Sequence, residues 1–379
     1  MEARGADTVS EAEVKPTTPL RWRETTFTWN QAATTTMVGV GRDNIGSEGE
    51  FYGWDFTFRP NFYIVDLPKD KVRAFAEIGW RTELTDSAAP GWSGSTTDRN
   101  ETLFKDMQLG LGYTRTLFES GGSDAKEYVT TGSLTGRFVL PTSEASSNQG
   151  RYLSTSLALG AKQKIKILGT NAAGLNNVTV GVTGSWGHLF ARSYEPTNAD
   201  IDVPRQNASG STFESDVLGG ATFDPNRLIA SLTVDLPLYQ DLSLSTNFRI
   251  VGRFKHDFEA GGGSDAGCDV AIANDSCVQA SRLDDRNLYQ PLTTFDVSLS
   301  YPIYQVVDLT LGYANETFWI GEDGNRRNIF YSPDAQFYLD IVANLDVIYT
   351  KVADAAGGKK AKAARATSRP ALMAGRGSR

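Results

Sequence analysis

Histidine is the first place to look for acid–base or nucleophilic chemistry, and the chain has only His188 and His256. Neither falls in a serine–histidine–carboxylate spacing. His188 shares the parity of Trp186 and Phe190 near the end of an apolar run, and His256 stands where such a run gives way to a loop. Gly110-Leu111-Gly112 does not continue into a G-x-G-x-x-G phosphate cradle. Gly91-Trp92-Ser93-Gly94 has no strand-to-helix elbow to expose a nucleophile. Asp265, Asp269 and Asp275 offer oxygens to calcium, but EF-hand spacing is absent and a solvated acidic loop is the plainer reading. Cys268 and Cys277 form no C-x-x-C pair. They read as a loop disulfide in an oxidising compartment, with two free thiols as the alternative. No catalytic set, metal site or cofactor is predicted.

The positive chemical signal is a set of charges at alternate positions: Asp55, Arg59, Arg73, Glu77, Arg81, Asp106, Arg137, Arg249, Arg253, Asp296 and Asp340. Glu83, Lys162, Lys164, Asp308, Glu316 and Asp346 share this pattern. Between them stand apolar and aromatic residues. In Phe51–Val65, Tyr52, Trp54, Phe56, Phe58, Phe62 and Ile64 hold one parity, while Gly53, Asp55, Thr57, Arg59 and Asn61 hold the other. A strand points successive side chains to opposite faces, so each such segment has one greasy and one charged face. The greasy face is too aromatic for water and the other too charged for a protein core. Lipid outside and an aqueous lumen inside satisfy both.

The alternation predicts strands at Thr25–Gly41, Phe51–Val65, Val72–Leu84, Thr102–Phe118, Tyr128–Leu140, Arg151–Ile167, Val178–Arg192, Asn226–Leu236, Leu242–Lys255, Thr293–Tyr301, Val307–Trp319 and Gln336–Thr350. In the first, the parity slips between Phe27/Trp29 and Val38/Val40, which predicts a bulge or a break near Asn30–Ala33. Short connections follow the even-numbered strands and long ones the odd-numbered strands. That asymmetry predicts a closed antiparallel transmembrane β-barrel, all-β, of about twelve strands, with short periplasmic turns, long extracellular loops and both termini periplasmic. Tyr52, Trp54, Trp80, Tyr113, Trp186, Phe190, Phe254, Tyr301 and Tyr349 fall near strand ends, as interface girdles do.

Mean hydropathy is −0.32, and no apolar run reaches the roughly 18 residues of a spanning helix. A net charge of −8 argues against nucleic acid as a partner. Residues 1–20 are polar and read as a disordered lead, 21–352 as the barrel, and 353–379 as a basic disordered tail containing Lys359, Lys360, Lys362 and Arg365. Met1–Pro19 has no apolar leader core, so an exported protein would begin upstream or be read here in processed form.

On these features the region from Trp22 to Val352 resembles the outer-membrane β-barrels of Gram-negative bacteria, specifically porin-like barrels of about twelve strands. The alternating segment Phe337–Tyr349, closing on an aromatic residue, is similar to the final strand that the barrel-assembly machinery reads. It departs by lacking an internal glycine and by not ending the chain. Ile329–Gln336 is similar to a segment of uncharacterised barrels of this kind. The resemblance implies a bacterial outer-membrane location, contact with lipid and lipopolysaccharide, and insertion by the assembly machinery. The function expected is a narrow porin-like channel for small hydrophilic solutes or ions, not an enzyme. A structural or surface-interaction barrel is the alternative, and a lipid-modifying enzyme a remoter one.

Overall fold

A computed structural model of the chain describes residues 20–35, 37–40, 52–84, 102–120, 128–143, 146–147, 150–165, 178–192, 205–206, 212–213, 224–238, 241–254, 271–272, 276–277, 289–319, 326–332 and 335–356. Cys268 is outside these residues, so the expected disulfide is too, as are His256 and Asp265, Asp269 and Asp275. Segments 1–19 and 357–379 are likewise outside them.

Alternation of apolar and polar residues builds twelve long staves. They are β1 (Thr26–Thr34), β2 (Tyr52–Arg59 continued by Asn61–Asp66), β3 (Asp70–Glu83), β4 (Met107–Ser120, with Thr102–Phe104 ahead of it) and β5 (Tyr128–Leu140). Next come β6 (Arg151–Ile165), β7 (Val178–Ala191), β8 (Asn226–Pro237) and β9 (Ser243–Phe254). The last are β10 (Tyr289–Ile303), β11 (Val307–Phe318) and β12 (Gln336–Asn344). Each stave pairs antiparallel with its sequence neighbours, and β1 pairs with both β2 and β12. The result is a closed, all-β, twelve-strand antiparallel barrel. Closure leaves no unpaired sheet edge, which a wall in lipid requires. Pro60 interrupts β2 because it has no N–H to donate to the ladder.

The parity assignment holds. Leu111, Leu159 and Leu311 are 53%, 63% and 59% exposed on the outer face. Their neighbours in sequence turn inward. The tightest turn joins β10 to β11, where Val306 N–H donates to Ile303 at 3.0 Å. Its central residues, Tyr304 and Gln305, both have positive φ, 49° and 60°. Two left-handed residues make the hairpin turn whose twist matches the strands. The turns at 67–69 and 238–242 lie at the same end of the barrel.

Three expectations need correction. Of the bulge and the break expected in β1, the bulge is absent, its register being continuous against both neighbours, and the break lies just past Ala33. The parity slip arises because the strand stops at Thr34, and Met37–Val40 belong to a turn. Register shifts fall instead at Thr116/Phe118, Arg151/Leu153 and Tyr63/Val65. Secondly, the final strand ends at Asn344, and helix α1 (Leu345–Ala356) replaces its predicted second half. Leu345, Ile348, Tyr349 and Val352 have helical i, i+3, i+4, i+7 spacing, and past the barrel rim no neighbouring strand is available to pair. Asp346 is therefore not on the lumen wall, and Tyr349 is not a strand-end aromatic. Thirdly, the boundary placed after Val352 falls inside this helix.

At the short-turn end, α1 and the segment 20–25 meet the rim. Leu345 N–H donates to Thr25 O at 3.0 Å, and the Trp22 and Tyr349 rings meet edge-on at 5.3 Å. Arg23 pairs with Asp66 and lies 4.0 Å over the Tyr63 ring. That hydrogen bond holds the Arg23 guanidinium above even its ordinary pKa.

On the outer wall one group of polar residues is covered by a segment of the chain. Thr293, Asn315 and Thr317 hold outward positions yet are buried, because segment 326–332 lies over them. Asn315 Nδ2 donates to Ile329 O at 3.0 Å, Ser332 Oγ donates to Asn315 Oδ1 at 2.6 Å, and Tyr313 OH donates to Phe330 O at 2.7 Å. The Phe330 ring meets Phe295 edge-on at 5.0 Å. Residues 329–332, the first half of the motif Ile329–Gln336 singled out in the sequence, thus lie back along the wall.

Candidate functional site

The predicted luminal charges that fall within the staves hold inward positions in the register, whereas Asp106 and Asp346 do not, and the set does not form one site. Asp55 receives Lys105 Nζ at 3.1 Å and stands opposite Arg81 in the β2–β3 register. Asp340 accepts a hydrogen bond from Asn30 Nδ2. Asp296 accepts from Tyr338 OH at 2.8 Å. Arg249 lies in one cross-strand row with Thr294 and Glu316. Asp106 sits at the long-loop rim, ahead of β4, where it accepts from Ser143 N at 2.9 Å and from Ser146 Oγ. Arg253 pairs with Asp224, whose side chain is fully buried and which Arg227 also approaches at 3.4 Å.

Three of the predicted arginines do converge. The guanidinium carbons of Arg59, Arg137 and Arg73 lie 4.9, 5.8 and 5.9 Å from the centroid of the Phe75 ring. Phe75 holds inward parity on β3 and is 5% exposed. Gly110, directly across on β4, makes room for it: a Cβ there would sit 2.2 Å from Phe75 Cζ. A ring face attracts cations through its quadrupole, so Phe75 partly offsets the repulsion among three like charges. Arg73 is also paired with Glu24 at 3.2 Å, and Glu77 accepts a long bond from Gln108 at 3.5 Å.

Phe75 was missed in the sequence because an apolar residue on the charged parity looks like noise. The available signal was Gly110 and Gly112, small inward residues on the next strand with nothing else to explain them. Asp224 was missed because it lies at the end of a long connection and carries no periodicity.

The arc from β6 to β8 is furnished differently. Ser154, Ser156, Gly160, Thr183, Ser185 and Ser231 point inward there. His188, by contrast, is on the outer face, where its Nδ1 is 2.9 Å from Asn226 Oδ1 and its ring packs between Trp186 and Phe190. Among the described residues no group of three His, Cys, Asp or Glu side chains is placed to hold a metal ion.

No family model matches the chain, and no curated protein matches its sequence. Among solved structures it is similar to an outer-membrane channel from Pseudomonas putida F1, with 14% identity and a TM-score of 0.45 over 86% of this chain and 96% of that one. It is also similar to the KdgM porin, solved in complex with disordered oligogalacturonate, with 6% identity and a TM-score of 0.32 over 84% and 98% of the two chains. A third likeness is to outer membrane phospholipase A from Escherichia coli, with 11% identity and a TM-score of 0.33 over 88% and 93%. At these scores the likenesses, to channels and to an enzyme alike, assign no activity to this chain.

Proposed function

We propose that the chain is a narrow outer-membrane channel for small hydrophilic solutes or ions. The observation that carries this reading is the inner wall. A closed barrel most of whose inward positions are hydroxyls, glycines, carboxylates and guanidiniums, with a few buried apolar residues such as Val251 and Leu292 among them, has an interior that water can wet. Its outer wall is apolar and suits the outer-membrane bilayer, with its lipid and lipopolysaccharide, after insertion by the assembly machinery. Twelve strands lie between the eight of side-chain-filled barrels and the sixteen of open porins, so the passage is narrow. No catalytic role is proposed; the one described histidine, His188, faces outward with Asn226 as its polar partner.

Osmotic swelling of liposomes tests the reading. Proteoliposomes holding the full chain swell in a small neutral sugar such as arabinose and stay rigid in a bulky trisaccharide. A correctly inserted, heat-modifiable barrel that admits neither sugar nor salt overturns the channel reading and leaves a structural or surface-interaction barrel. Fatty acid release from phospholipid vesicles would replace both with a lipid-modifying enzyme.

A further inference from the structure

We infer that the lumen contains a binding site for small oxyanions, solutes bearing a carboxylate or phosphate, built by Arg59, Arg73 and Arg137 around Phe75. The inference deepens the channel reading and rests on it for access of the site to water.

The hydrogen bonds of the cluster point to a missing acceptor, and three guanidiniums against two carboxylates, Glu24 and Glu77, leave it net positive. Three guanidiniums gather on one ring, and of the three only Arg73 has a carboxylate within ion-pair distance, Glu24 at 3.2 Å. Among the described residues Arg59 and Arg137 make no ion pair within 4.0 Å; Glu77 accepts from Gln108 at 3.5 Å, and the charges of Glu77 and Glu24 reach Arg59 only at longer range. The Nε–H of Arg59 is sealed from solvent and has no hydrogen-bond partner. A buried N–H without an acceptor is costly, and one on a charged group more so. An oxyanion would supply that acceptor.

The chemistry of the cluster selects the ligand class. A guanidinium presents its donors in a planar fork that matches carboxylate and phosphate oxygens two at a time. Chloride has no such geometry. The fork positions are also fixed rather than adaptable. Phe75 is wedged against Gly110, and the aliphatic part of Arg73 packs over Gly112, where a Cβ would meet Arg73 Nε and Cγ at 3.3 and 3.4 Å. The three heads are therefore held around a rigid ring, which lowers the ordering cost of binding.

The test uses the purified full-length barrel in detergent, with inorganic phosphate and succinate as probes and chloride as control. Both oxyanions are expected to bind by calorimetry and to raise the temperature at which gel mobility changes, whereas chloride at equal ionic strength does neither. Arg59→Gln with Arg137→Gln is expected to weaken phosphate binding about tenfold or more, consistent with losing two forked contacts. Arg59→Lys with Arg137→Lys keeps the charge and loses the fork, so it is expected to restore only part of the affinity. Arg249→Gln, on the far wall, is expected to bind like wild type and serves as the folding control. No phosphate or succinate binding to a folded wild-type barrel overturns the site, whatever the conductance. Equal loss in Arg249→Gln also overturns it, because the lumen then responds only to net charge. Oxyanion binding by a barrel that fails the swelling assay retains the site and removes the channel.

Discussion

The inner wall has two unlike arcs. From β2 to β5 it carries Arg59, Arg73, Phe75 and Arg137, bulky groups locked on a ring and set against glycines. From β6 to β8 its middle rows carry hydroxyls and glycine, side chains with little reach, and its inward charges, Lys162, Lys164, Arg227 and Asp235, lie towards the strand ends. The arcs meet in the ladder, where Arg137 stands directly across from Ser156. The difference separates two properties of one lumen. The first arc sets the field and holds groups in place, and the second leaves the room. Width and selectivity can therefore be changed independently.

The largest effect breaks the premise of both arcs, that parity divides lumen from lipid. Leu111→Arg puts a charge on the outer wall and is expected to cost about 2–4 kcal/mol, whereas Gln108→Arg, facing inward, costs much less. Urea midpoints read by heat-modified gel mobility measure both. Equal losses would show the arcs to be misassigned.

A smaller loss isolates the first arc. Gly110→Ala drives a methyl into Phe75 and is expected to destabilise the barrel by about 1–3 kcal/mol, as overpacking does. Gly136→Ala, where a Cβ meets nothing within 4 Å, is the matched control and should be neutral. The same titration reads both, and a neutral Gly110→Ala would mean that Phe75 is not wedged.

Asn315→Leu touches neither arc. It removes the clasp on segment 326–332 at a cost of about 1–2 kcal/mol, the scale of an orphaned hydrogen-bond partner. Cleavage between β11 and β12 should then occur at lower protease concentration while conductance is unchanged. Altered ion selectivity in this variant would couple the outer strap to the lumen and blur the contrast.

The smallest effect on stability, within about 0.5 kcal/mol, is expected for Thr183→Tyr, because the position faces the lumen between the short side chains of Gly160 and Ser231. Its effect on conductance should be large, since the ring narrows the roomy arc. Arg137→Gln should do the reverse, moving the reversal potential towards cations with little change in conductance. If both variants change the same quantity, the arcs do not act separately.

Much of this was legible from residue spacing, and the gaps have physical causes. Period-two alternation placed Leu111, Leu159 and Leu311 outside and Arg59, Arg73 and Arg137 inside, because a lipid-facing wall tolerates few violations. The asymmetric connections gave closure and strand count. Helix α1 was hidden because Leu345, Val347 and Tyr349 satisfy a strand pattern while Leu345, Ile348, Tyr349 and Val352 satisfy a helical one. Only the end of the barrel decides between them. The arginine cluster could not be read from parity, which says that a side chain points inward but not which others it meets. That meeting depends on the stagger between strands, and here on an apolar residue that the charge pattern had excluded.

The channel account is tested most directly by single-channel recording of the purified full-length chain in planar bilayers. Discrete conductance steps are expected, rising with salt concentration and reduced by Thr183→Tyr. A barrel that inserts and shows heat-modified mobility, yet gives no step above the bare bilayer in either form, would contradict it.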